Sequence, residues 1–369
     1  MAGGNHQGME EEYDLVIIGA GPSGIVLARF YLSIHPTHRL AILEQEEVIG
    51  GVWSSARQYP GFRSESGLRM SGFSDRPIIL PPEAHTYDDT FEAKYVTQYL
   101  EDYVDVHVHD GKSLRERVIF GLRLRESRRW LGNVATGQNS LPHTPSFLNQ
   151  ANFKSPIVHQ KHFGQIAMSA LAPDSPTHQS QFLGGGKSAT DMVYECTKAS
   201  KKVTWIIRRS GEGPAIFAEM SATRAFAALS PSCFTPQTWV SRFIHQSSIV
   251  NSIVSKIWKG ADEDAAKLAD FEREDALPGE VYWCNGPIGL IHHDDFWDTV
   301  AKNVKVYRDD IQRLESRAII LEDGTVIDTD MLLCGTGWTR GYPFLTPQQT
   351  REFGLSHPAE DDASSESKI

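Results

Sequence analysis

The stretch "YDLVIIGAGPSG", Tyr13 to Gly24, decides the fold. Leu15 to Ile18 is a short, mostly β-branched apolar run, which predicts a buried parallel strand. Gly19-Ala20-Gly21-Pro22-Ser23-Gly24 is a full G-x-G-x-x-G, and "IVLARFYLSI" after it has helical spacing. His35-Pro36 breaks that helix, and "RLAILEQ" is the next strand, carrying Glu44 twenty positions after Gly24. This is the whole strand-turn-helix-strand setting that a dinucleotide site requires. Gly19 permits the tight turn, Gly21 lets the backbone approach a pyrophosphate, and Gly24 allows close helix–strand contact. The helix start offers N–H groups and a positive dipole end, and the Glu44 carboxylate can accept hydrogen bonds from a ribose. Gly50-Gly51-Val52-Trp53 follows the second strand; the glycine pair lets the chain run against a cofactor and Trp53 can pack beside it.

A second glycine loop lies in "THQSQFLGGGKSATD", Thr177 to Asp191. Gly184, Gly186 and Ala189 fit G-x-G-x-x-A, with Ser188 before the alanine. "TDMVYECTKAS" continues as a helix, and Val203 to Ile207 is a strand that ends in Arg208-Arg209. Arg208 lies nineteen residues after Ala189, which by spacing is the place of Glu44 in the first unit. Two arginines in place of a carboxylate favour a 2′-phosphate, hence NADPH over NADH. The strand before the loop is the weak part. Its residues His178, Gln179, Ser180 and Gln181 would bury polar groups without obvious partners if it were central.

With both loops in order, the chain resembles the flavin-dependent monooxygenases with two dinucleotide-binding domains, the flavin-containing, N-hydroxylating and Baeyer–Villiger types. In that family G-x-G-x-x-G, the glutamate and G-G-x-W together bind FAD. Ser71 to Ile78 and Phe91 to Val104 resemble its next segments, and the latter reads independently as an amphipathic helix with Val96, Tyr99, Leu100 and Tyr103 on one face. Phe153-x-Ser155-x3-His159-x3-Phe163 resembles the family signature F-x-G-x3-H-x3-Y/W, which implies that His159 helps to position NADP. Asn133 to Pro145 and Asp328 to Trp338 resemble the two A-T-G hinges between domains, the second reading C-G-T-G. The resemblance implies electron flow from NADPH to FAD, then insertion of one oxygen atom from O2 into a small organic substrate through a flavin hydroperoxide. The acceptor is a soft nitrogen or sulfur, or a ketone carbonyl, in secondary metabolism. Against the family pattern the chain reads as shortened, before the first hinge and after the second. That motivates a rival reading: a non-catalytic or impaired homologue lacking part of the FAD cradle.

Composition narrows the alternatives. The net charge of −11 argues against a nucleic-acid footprint, no apolar run reaches membrane-span length, and "MAGGNHQGMEEEYD" has no signal-peptide core, so a cytoplasmic protein is expected. Cys196, Cys233, Cys284 and Cys334 form no C-x-x-C and no zinc spacing, which excludes a flavin–dithiol reductase and leaves four reduced, mostly buried thiols. His159 with His162, and the run His292 to Asp295, are not expected to hold a metal. Val240 to Trp258 has near-helical apolar spacing with few basic residues, so it reads as helices over a cleft and not on a membrane. "AIILEDGTVID" is a hairpin turning at Asp323-Gly324. The expected organisation is α/β, with two Rossmann-like dinucleotide-binding domains for FAD and NADPH, the second with a helical insertion. Residues 1–12 are a lead-in, 13–142 bind FAD, 143–333 bind NADPH with an insert at about 213–275, 334–345 return to the FAD domain and 346–369 are a disordered tail.

Overall fold

The computed structural model describes residues 12–64, 66–87, 90–122, 133–137, 139–210, 247–268, 295–339, 341–342 and 344–352, with 239, 243 and 293. Two compact units result. One gathers the described residues of Met1–Ala56, Val96–Leu141 and Arg340–Glu366; the other gathers those of Arg57–Tyr95, Pro142–Thr339 and Ser367–Ile369. Residues 57–95, assigned from sequence to the FAD domain, thus group by contact with the second unit.

In the first unit, β1 (Leu15–Ile18) leads through α1 (Pro22–Ile34) to β2 (Leu40–Leu43). The helix α2 (Lys94–Val106) follows, then the short strands β3 (Val118–Ile119) and β4 (Asn133–Val134). The sheet is parallel in the order β3-β2-β1-β4. Val96, Tyr99, Leu100 and Tyr103 of α2 are buried, as the periodicity predicts. The segment just before the first hinge, 123–132, lies outside the described residues. The tail differs from its reading as disordered from 346: Pro347–Glu352 is a helix. Its start is a reciprocal cap. The Gln349 N–H donates to Thr346 Oγ1 at 3.2 Å and the Thr346 N–H donates to Gln349 Oε1 at 2.9 Å, with Pro347 in the first turn.

The second unit begins at β5 (Ile157–His159) and α3 (Phe163–Leu171), then β6 (Gln179–Leu183), α4 (Lys187–Lys198) and β7 (Lys202–Ile207). After α5 (Ser248–Leu268), the described part of the predicted insert, come α6 (Phe296–Asn303) and β8 (Val304–Arg308). The strands β9 (Ile311–Glu315), β10 (Ala318–Leu321) and β11 (Val326–Asp328) form an antiparallel sheet, and β12 (Met331–Cys334) returns to the main one. The main sheet is parallel in the order β8-β7-β6-β12-β5. It is covered on both faces. Phe182, Trp205 and Leu333 pack with Phe163, Met192 and Phe296 from the helices. Leu183, Ile206 and Leu332 pack with Leu314, Ile319 and Leu321 of the antiparallel sheet.

The polar strand is central after all. β6 lies between β7 and β12, and Ser180 and Gln181 are buried. The backbone at its start and the Ser180 hydroxyl find partners that the sequence did not disclose. The N–H groups of His178 and Gln179 both donate to Asp330 Oδ2, at 3.1 and 3.0 Å. Ser180 hydrogen-bonds the thiol of Cys196, which burial pushes up to about 12. Gln181 Oε1 is buried with no hydrogen-bond partner among the described residues. No described helix is long and apolar enough to cross a membrane.

Candidate dinucleotide sites

The two glycine turns are built alike. In the first unit the Gly19 N–H donates to Leu43 O at 2.8 Å; in the second the Gly184 N–H donates to Ile206 O at 3.1 Å. Each turn also meets a hinge beside it. The Ala135 N–H donates to Ile18 O and the Gly335 N–H to Leu183 O, both at 2.8 Å. Gly19 (φ +103°) and Gly184 (φ +124°) adopt conformations that favour glycine. A Cβ on Gly19 would lie 2.5 Å from Ala135 O, and one on Gly184 would lie 2.7 Å from the Gly335 carbonyl carbon. Both turns therefore sit where the strand order switches sides, which in parallel α/β sheets is where ligands bind.

The third position of each motif is matched to its hinge. Gly24 lies close to the Gly19 carbonyl and, for a Cβ built there, 3.4 Å from Ala135 Cβ. In the second unit the alanine is on the helix and the glycine on the hinge: a Cβ on Gly335 would lie 2.5 Å from Ala189 Cβ. The glycine of the C-G-T-G hinge is therefore what lets Ala189 of the G-x-G-x-x-A loop pack against it. Trp205 completes this loop by donating its indole N–H to Gly184 O at 2.6 Å.

These residues fit a dinucleotide in each unit. The helices α1 and α4 start at Gly21 and Gly186 with no side-chain cap and no acidic residue in the first turn, which leaves first-turn N–H groups for an anion. A Cβ on Gly51 would lie 3.2 Å from Gly21 Cα, and the Gly50 N–H donates to Ala20 O at 2.9 Å, so the two glycine elements meet backbone to backbone. A Cβ on Gly186 would have open space around it. Ser188 stands in the first turn of α4. Glu44 is buried at the end of β2, where its carboxylate accepts from the Ala20 N–H at 2.7 Å and the Glu46 N–H at 3.0 Å. Trp53 ends a short 3-10 turn, and its carbonyl accepts from Thr97 Oγ1 at 2.6 Å.

The arginine pair needs a correction of register. Leu43 and Ile206 are equivalent through their bonds to the two turns, so Glu44 corresponds to Ile207, which is buried in the core. Arg208 lies one residue beyond the place that spacing alone gave it. Arg208 is half-buried and makes no hydrogen bond or ion pair among the described residues, whereas Arg209 Nε donates to Arg308 O at 2.7 Å and lies 3.7 Å from Asp309 Oδ1.

The signature residues turn out to be ties within the second unit. Ser155, in place of a glycine, donates its hydroxyl to Thr329 O at 2.7 Å, just before β12. His159 Nδ1 accepts from the Lys161 N–H at 3.1 Å, so its Nε2 carries the proton and donates to Gly337 O at 2.8 Å, just after β12. Burial holds this imidazole below its usual pKa despite that bond. Its ring stands edge-on to Trp338 at 5.2 Å. Phe163 lies edge-on to Tyr59 at 5.3 Å. Both His159 ring nitrogens are thereby engaged, and of the His292–Asp295 run the described His293 stacks on Tyr194 while Asp295 accepts from Tyr194 Oη at 2.6 Å. Cys196 and Cys334 are buried free thiols; Cys233 and Cys284 lie outside the described residues.

The fold and the paired turns define a class, the α/β proteins with two dinucleotide-binding domains. Comparison with known proteins agrees. Residues 17–77 match the NAD(P)-binding Rossmann-like domain model. The chain is similar to an FAD-dependent monooxygenase of Aspergillus nomiae, 27% identical over 96% of this chain and 70% of that one. An FAD-dependent monooxygenase of Pyrenophora dematioidea is also 27% identical, over 96% and 73%. Among solved structures, the OTEMO complex with FAD and NADP superposes with a TM-score of 0.64 at 16% identity, covering 96% of this chain and 77% of that one. The open form of cyclohexanone monooxygenase gives 0.61 at 16% identity, covering 89% and 74%. The chain is thus similar, along almost its whole length, to FAD-dependent monooxygenases, and it shares the fold of those solved structures.

Proposed function

We propose that the protein is an FAD-dependent monooxygenase that draws electrons from NADPH and places one oxygen atom from O2 on a small organic substrate. The observation that supports it most directly is the meeting of Gly21 and Gly51 beside buried Glu44, a backbone-lined cradle into which a side chain would intrude. Bound there, FAD supplies the redox chemistry that the protein's own side chains lack. In the second unit Gly184, Gly186, Ser188 and Ala189 would seat the NADPH pyrophosphate, and Arg208 would meet its 2′-phosphate. The likeness to named FAD-dependent monooxygenases supports the reaction class, and amines, thioethers and ketones are the candidate acceptors.

The test is the colour of the purified protein. A flavin spectrum that bleaches on anaerobic addition of NADPH, followed by oxygenated product from a panel of amines, thioethers and ketones, establishes the activity and its acceptor. A colourless protein that takes up no added FAD overturns it in favour of a non-catalytic homologue.

A further inference from the structure

One face of α4 carries Lys187, Asp191 and Glu195, each one turn apart, and it faces the stretch 59–63. Asp191 is only 2% exposed. Its carboxylate accepts from Tyr59 Oη at 2.8 Å and from Lys187 Nζ at 2.9 and 2.7 Å. The Lys187 ammonium lies 5.9 Å from the Phe62 ring centre, and Phe62 stacks on Tyr59 at 4.6 Å. Gly61 (φ +70°) is pressed against Glu195, where a Cβ would lie 2.6 Å from the Cδ. Arg63 is buried, donates from Nη2 to Thr90 O at 2.8 Å, and is attracted by Glu92 and Asp191. The second unit thus contains a seam, centred on the buried Asp191–Lys187 ion pair and the Tyr59 and Phe62 rings, between the helix of its glycine loop and residues 59–63. A buried charge network of this kind is stiff, because each partner is expensive to leave alone.

Tyr59 to Arg63 is the stretch that this seam holds against α4. We propose that Asp191 is a positioning residue, which through Tyr59 and Lys187 locks this stretch onto α4. The proposal rests on the NADPH reading above. On that reading the start of α4 carries the nucleotide pyrophosphate, and the lock fixes this helix within the second unit. How the nucleotide is held matters when hydride moves and hardly at all for ground-state binding. Neither Asp191 nor Tyr59 belongs to the glycine loops or the arginine pair.

The variants Asp191→Asn and Tyr59→Phe test the lock at two levels. Hydrogen–deuterium exchange of residues 57–64 in the protein without added nucleotide should rise about tenfold in either, the loss of one charge-assisted hydrogen bond. NADPH affinity, read by fluorescence quenching, should stay within about threefold, while the anaerobic rate of flavin bleaching falls about tenfold or more. Tyr59→Phe removes a single hydroxyl and carries the test if Asp191→Asn does not fold. Unchanged exchange in a folded variant overturns the lock. Faster exchange with an unchanged bleaching rate, or an affinity that falls as far as the rate, overturns the positioning role. Should the protein take up no flavin, the proposed function fails by itself and the exchange measurement still decides the lock.

Discussion

Ala189 fills, against Gly335, the space that a side chain on Gly335 would need, since a Cβ there would lie 2.5 Å from Ala189 Cβ and 2.9 Å from Ala189 Cα. In the first unit the corresponding Gly24 is held free of a side chain by the Gly19 carbonyl, with Ala135 Cβ only at contact distance, 3.4 Å from a Cβ built there. Gly335→Ala should therefore destabilise the protein by about 1–3 kcal/mol. The double variant Ala189→Gly, Gly335→Ala should regain only part of that, because the Cα and N of residue 189 still lie 2.9 and 3.0 Å from the added Cβ. Thermal unfolding of the three proteins checks it, and a double variant no better than Gly335→Ala alone would refute the compensation.

The arginine pair should divide its labour. Arg208→Ala should raise the KM for NADPH by about tenfold or more and leave NADH use unchanged, the loss of a charge-assisted bond to the 2′-phosphate. Arg209→Ala should disturb nucleotide choice less, because that side chain is engaged with Arg308 O and Asp309. Steady-state kinetics with both nucleotides decide it; a matching loss with NADPH and NADH would remove the assignment.

Gln181 is a site for stabilisation. Its buried Oε1 has no partner among the described residues, so an unbranched apolar replacement relieves an unmet hydrogen bond. Gln181→Met should raise stability by about 1 kcal/mol, seen as a higher melting temperature. A lowered melting temperature would mean that the amide is satisfied in solution.

Two buried titrating groups give the second unit opposite pH responses. His159 is held below its usual pKa by burial, so its contribution is present above the unfolded value of 6.5 and is lost as pH falls through the folded one. Glu195 is pushed up to about 7, first by burial and then by Asp191, with Lys198 opposing. Its neutral form is the one the fold prefers. That contribution is complete below the unfolded value of 4.5 and is lost as pH rises through about 7. The charged groups that act on it are Asp191 and Lys198 on α4. Glu195→Gln should flatten the loss between about pH 4.5 and 7 in unfolding experiments, and His159→Gln the loss on the acid side. Slopes unchanged by either substitution would show that these groups do not titrate as described.

Much of the fold was legible because it is written locally. The run Leu15 to Ile18, the turn after it and the amphipathic face of α2 depend on residues within a few positions of one another. The helix Pro347–Glu352, read from sequence as part of a disordered tail, is held at its start by the reciprocal bonds of Thr346 and Gln349. The equivalence of Arg208 with Glu44 failed for a different reason. Counting residues along the chain is blind to register, which is fixed by the bonds Gly19 to Leu43 and Gly184 to Ile206.

By itself the sequence determined the two glycine turns, the helices they start and the chemistry that each can meet, because glycine conformation, helix dipoles and carboxylate or guanidinium charge act over a single turn of chain. Only the tertiary structure decided what stands opposite each residue. It placed the polar strand at the centre of a sheet, with Asp330 and Cys196 as partners for its backbone and for Ser180. It set Ala189 against Gly335, turned His159 toward Gly337, and buried Asp191 between Lys187 and Tyr59. Those pairings join residues far apart in the chain, and close packing and the desolvation of charge, not local propensity, select them.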